Sequence, residues 1–186
     1  MSRLPILLAA AALALPVGAT AQTAPDAAFN AFQSVCGATG GAYDKVAAAV
    51  ATGGWVDSGV PAENPGNISI TGQMARSKAD EGVTLTLLAT QGVQHASDGD
   101  VQVSTCKISS NKPDAALLTE AQSWLGVPPD SSDQGLAVYY VKPGGAKPQH
   151  VAKTDIGKAL AAGGVAVVKF QQDTDGAILV YQTFSK

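Results

Sequence analysis

The residues most committed to chemistry are the two cysteines, Cys36 and Cys106, which stand 70 residues apart. Neither has a second Cys or a His within a few positions, so there is no CxxC redox motif and no zinc spacing. In an oxidising compartment such a pair most simply forms one disulfide. Closing a loop of that length is worth roughly 4 kcal/mol in the chain-entropy picture. A thiol nucleophile or metal ligand is the alternative, and no spacing supports it.

The other reactive side chains form no motif. His95 and His150 are isolated and read as surface or satisfied core groups rather than metal ligands. Asp173-Thr174-Asp175-Gly176 opens like a calcium loop, but an EF-hand loop closes on Glu at position 12, where this chain has Phe184. It reads as a turn, as does Asp98-Gly99-Asp100. The neighbouring carboxylates Asp80 with Glu81, and Asp130 with Asp133, fall in loop-like contexts. Aromatic residues, which a sugar-cleaving cleft would need beside such a pair, are only 5% of the chain. No G-x-S-x-G elbow and no Gly-rich phosphate motif occurs. Asn67-Ile68-Ser69 matches a glycosylation sequon and reads as the start of a strand. No catalytic residue, metal ligand or cofactor site is assigned.

Three aromatic residues are candidate contacts for a partner or ligand. Trp55 follows Thr52-Gly53-Gly54 and either packs over a helix end or lines a small groove. Tyr139 and Tyr140 are adjacent in a strand-like segment. Their side chains must point to opposite faces, which leaves one partly exposed.

The elements that position these residues can be read from periodicity. Phe29, Phe32, Cys36, Tyr43, Val46 and Val50 lie at helical spacing and make one buried stripe. Gly37 and Gly40-Gly41 interrupt it, predicting a kink or two short helices, and Thr52-Gly53-Gly54 ends it. Residues 57–66 read as a loop. Residues 67–71, 83–87 and 101–108 alternate apolar and polar, as antiparallel strands solvated on one face do. Lys78 to Gly82 and Ser97 to Asp100 read as the hairpin connections. Val101 and Val103 differ in parity from Cys106 and Ile108, which predicts a bulge near Ser104-Thr105. A second helix is predicted over 113–125, with Leu117, Leu118, Ala121, Trp124 and Leu125 as its stripe. Strands over 135–141 and 149–152 follow, then a short helix capped by Thr154. The chain closes with a hairpin of 165–171 and 177–184 around Asp175-Gly176. The expected fold is a single α+β domain, an antiparallel sheet with two main helices packed on one face.

Composition and the N-terminal segment set the location. The chain has 186 residues, 46% hydrophobic and 15% charged, with a formal net charge of −3. That is globular, and the absence of a basic patch argues against nucleic acid as a partner. Arg3, an Ala/Leu-rich run and Ala19-Thr20-Ala21 make a signal peptide over 1–21, cleaved after Ala21. The mature domain would span 22–186, cross no membrane, and be periplasmic or secreted.

Phe32, Cys36, Thr39-Gly40-Gly41 and Gly54-Trp55 together resemble a pattern of an uncharacterised family of small secreted proteobacterial proteins. The resemblance implies a periplasmic or secreted location and carries no catalytic residue. The expected function is non-enzymatic: binding an envelope protein or a small ligand. The alternatives are a small periplasmic hydrolase whose site assembles only in three dimensions, or a carrier of a small apolar ligand.

Overall fold

The computed structural model describes residues 27–59, 68–80, 82–95, 97, 99–144 and 147–185. The expected signal peptide and its cleavage point lie outside the described residues, as do residues 60–67.

Among the described residues nine strands form one antiparallel sheet. They are β1 (Val56–Asp57), β2 (Ile68–Asp80), β3 (Val83–Gln94), β4 (Val101–Ser110), β5 (Ser131–Asp133), β6 (Leu136–Lys142), β7 (Gln149–His150), β8 (Val165–Gln172) and β9 (Ala177–Ser185). Their spatial order is β1-β2-β3-β4-β9-β8-β6-β5, with β7 also paired to β6. The helices are α1 (Ala27–Phe32), which runs into a π turn at Gln33–Gly37, α2 (Tyr43–Thr52), α3 (Leu117–Leu125) and α4 (Ile156–Ala161).

The fold is therefore α+β on an antiparallel sheet, but the expected pair of helices on one face understates the sheet. Among the described residues four α-helices accompany it, and the strands dominate. The reason lies in β2 and β3. Their pairing continues to Asp80↔Val83, so Lys78 and Asp80, expected in a loop, are strand. Mixed sequences such as Gly72 to Asp80 lack clean alternation, and cross-strand hydrogen bonding holds them extended anyway. Asp57, also expected in a loop, pairs with Arg76 in β1, and Ser131 to Asp133 pair with β6.

The expected bulge at Ser104-Thr105 is absent, because β4 keeps an unbroken register with both β3 and β9. Val103 and Cys106 point to opposite faces, and both are buried. The irregularity is in β2, between Ile70 and Gly72. There Gly92 of β3 lies so close that a Cβ would sit 2.5 Å from the Ser69 carbonyl oxygen.

One sheet face carries the core. Leu87, Ile108, Leu179, Val168, Phe170 and Tyr139 alternate inward from five strands and are buried beneath α1 to α3. Phe170 is the hub: its ring centroid is 5.3 Å from Phe32, 6.0 Å from Phe29, 6.4 Å from Trp124 and 6.0 Å from Tyr139. The stripe expected in the first helical region is buried at Phe29, Phe32, Cys36, Val46 and Val50, with Tyr43 packed at its margin.

The break between α1 and α2 has a defined cause. Gly40 and Gly41 adopt φ of 62° and 70°, which side chains other than Gly resist. A Cβ at Gly41 would lie 2.9 Å from the Tyr181 ring. The turn thus folds directly over Tyr181, and Ser104 Oγ donates to the Gly41 carbonyl at 2.7 Å.

Helix α3 begins at Leu117 rather than at residue 113. The Asp114 carboxylate accepts a hydrogen bond from the Ala116 N–H at 2.9 Å, which holds a turn ahead of the helix. It ends at Gly126 in the left-handed conformation, φ 72°. Thr154 lies within a 3₁₀ turn before α4 and does not cap it. Helix α4 packs on β8 and β9.

Candidate functional site

Trp55 lines a groove of about 650 Å³ where α1, the π turn, α2 and the end of β2 meet. The two helices owe their position to their buried stripes and to the Cys36–Cys106 disulfide, whose Cα atoms are 5.5 Å apart. Their opposite surfaces therefore face outward. Asn30 of α1 and Ser34 of the π turn are exposed, and the π turn widens the helix locally. Lys78 and Asp80 close the far wall, with Nζ and Oδ2 3.5 Å apart. Both are about a third exposed, so the pair adds charge of both signs and little stability.

The indole of Trp55 is half-buried. It packs on the margin of the core and lines the groove at once. It rests against Gly53, where a Cβ would lie 3.0 Å from its Cδ1. The groove thus combines one fixed aromatic surface with amide, hydroxyl, ammonium and carboxylate groups. Such a lining suits a polar partner segment that presents one flat or apolar element.

Tyr139 and Tyr140 are not brought to Trp55; they lie on β6, across the sheet. Tyr139 is 1% exposed and stacks edge-on to Phe170. Burial, and then the charge of Asp130, raise the pKa of its phenol. It is a core residue with no surface for a partner. Tyr140 points to the face away from α1 to α3, half-buried, and its backbone N–H donates to Asp130 Oδ2 at 3.0 Å.

The histidines are not isolated. His150 Nε2 lies 3.0 and 3.1 Å from the two carboxylate oxygens of Asp130. His95 Nδ1 lies 2.8 Å from Asp100 Oδ1, and its Nε2 lies 3.3 Å from Ser69 Oγ. Sequence reading missed both groupings. The partners are 20 residues away for His150 and 26 for Ser69 with His95. The one legible signal was the closeness of His95 and Asp100 across a hairpin turn. No set of three or more His, Cys, Asp or Glu suited to a metal occurs among the described residues. No helix among them is long and apolar enough to cross a membrane.

Comparison with protein-family models, with curated proteins and with solved structures gives no match for this chain.

Proposed function

We propose that the protein is an exported α+β domain that binds a partner at the cell envelope through the Trp55 groove, without chemistry on that partner. The observation that carries this reading is the half-buried indole set in an open groove of mixed charge and polarity. The disulfide supports export, because such bonds persist in oxidising compartments. A carrier role finds less support. The space between α1, α3 and the sheet is occupied by the ring cluster around Phe170. The test is replacement of Trp55 by Ala in the exported protein. A partner that co-purifies with the wild type from the envelope should be lost, while the fold and the disulfide persist. Undiminished co-purification would overturn the reading.

A further inference from the structure

At the other end of β2 from the groove, three side chains join in a chain of hydrogen bonds. A carboxylate oxygen accepts, so the 2.8 Å contact between His95 Nδ1 and Asp100 Oδ1 favours the tautomer with the imidazole proton on Nδ1. In that tautomer Nε2 offers its lone pair. Ser69 Oγ lies 3.3 Å from that nitrogen and donates its hydroxyl proton there. Hydroxyl to Nε2, and Nδ1 to carboxylate, is the connectivity that lets a serine act as a nucleophile.

The irregularity in β2 makes this possible. From Gly72 to Asp80 the pairing with β3 follows one register, and before it, at Ile68 to Ile70, another. Extended without the shift, Ser69 would lie opposite Gln94, on the face away from His95. With the shift it pairs with Val93 and shares the face of His95, two residues on.

We infer that Ser69, His95 and Asp100 form a hydrolytic site for small activated esters. His95 and Asp100 are 63% and 61% exposed, so reagents reach the site from open solvent. This activity goes beyond the binding reading and uses none of the groove residues. Ser69 Oγ bonds to the acyl carbon as its proton passes to His95 Nε2. The bond from that carbon to the leaving oxygen breaks, and this oxygen takes the proton from Nε2. Water then attacks the acyl-serine and gives a proton to Nε2. The Ser69 oxygen leaves with that proton, and a carboxylic acid is released. Asp100 is a positioning residue: it holds the ring in the tautomer that leaves Nε2 free.

The test is treatment of the exported full chain with a fluorophosphonate probe, read by intact mass and peptide mapping, together with p-nitrophenyl acetate turnover. One adduct at Ser69 is expected. His95→Gln should slow labelling by about 100-fold or more. Asp100→Asn should slow it by roughly 10-fold, and Asp100→Glu should largely restore it. Far-ultraviolet circular dichroism and an intact disulfide confirm that each variant folds. An unlabelled Ser69, labelling only elsewhere, or equal rates in wild type and folded His95→Gln would overturn the inference. Loss of the binding partner in Trp55→Ala with labelling unchanged is the expected pattern when both readings hold.

Discussion

Cys36, in the π turn after α1, is bonded to Cys106, in the middle of β4, with their Cα atoms 5.5 Å apart. Both are fully buried, so the bond ties the first helical region to the core face of the sheet. It fixes the base on which the outward groove of Trp55 is built. Replacing both cysteines by Ser should lower stability by about 2–4 kcal/mol in urea unfolding, with secondary structure retained. The native protein should show no free thiol until it unfolds. Equal stability of the double variant would remove the disulfide from this role.

Phe170 should be among the most sensitive core positions. Its ring meets Phe29, Phe32, Trp124 and Tyr139, so truncation would open a cavity beneath both α1 and α3. Phe170→Ala should cost about 3–5 kcal/mol in equilibrium unfolding. A cost near that of an exposed substitution would show that the ring cluster is not the core.

Gly41 and Gly54 separate packing from backbone strain. Their φ angles are 70° and 73°, but a Cβ at Gly41 meets the Tyr181 ring whereas one at Gly54 meets nothing within 4 Å. Gly54→Ala should cost only the left-handed backbone term, about 1–2 kcal/mol. Gly41→Ala should cost clearly more in the same unfolding assay. Equal costs would mean that the turn does not rest on Tyr181.

Tyr181 should make the fold sensitive to alkali. Burial raises the pKa of its phenol to about 12, although a hydrogen bond from the Gly144 backbone works in the opposite direction. The unfolded chain releases this proton near pH 10, so the stabilising effect is complete below that pH. It declines as pH rises from about 10 to about 12, where the unfolded state is favoured by losing the proton. Tyr181→Phe should flatten the fall in stability over that window, as followed by unfolding midpoints. An unchanged slope would contradict the burial of its hydroxyl.

Local pattern made several elements legible and left others dark, for physical reasons. The stripe of Phe29, Phe32, Cys36, Val46 and Val50 was readable because each residue buries against the same surface. The final hairpin was readable because Asp175-Gly176 stands between two apolar runs, and the Asp173 N–H donates to the Gly176 carbonyl across the turn. The second half of β3 was dark because its extended form depends on neighbours distant in sequence. Val103 misled because alternation was assumed to have one buried face, whereas β4 buries side chains on both. The groove was half legible: Trp55 stood out, but Lys78 and Asp80 reach it only because β2 runs on past the expected turn. Ser69 and His95 were hidden by a register shift that no residue near it announces.

The proposed docking of a partner at the Trp55 groove, rather than on the far face of the sheet, can be read by crosslinking. Ser34 lines the groove and is exposed, while Lys169 is exposed on the face away from α1 to α3. The decisive experiment places a photoreactive amino acid at each position in the cell that produces the protein. Docking in the groove predicts a discrete crosslinked species from position 34 that disappears in Trp55→Ala, and none from position 169. A discrete adduct from position 169 alone, or an adduct from position 34 indifferent to Trp55, would contradict it.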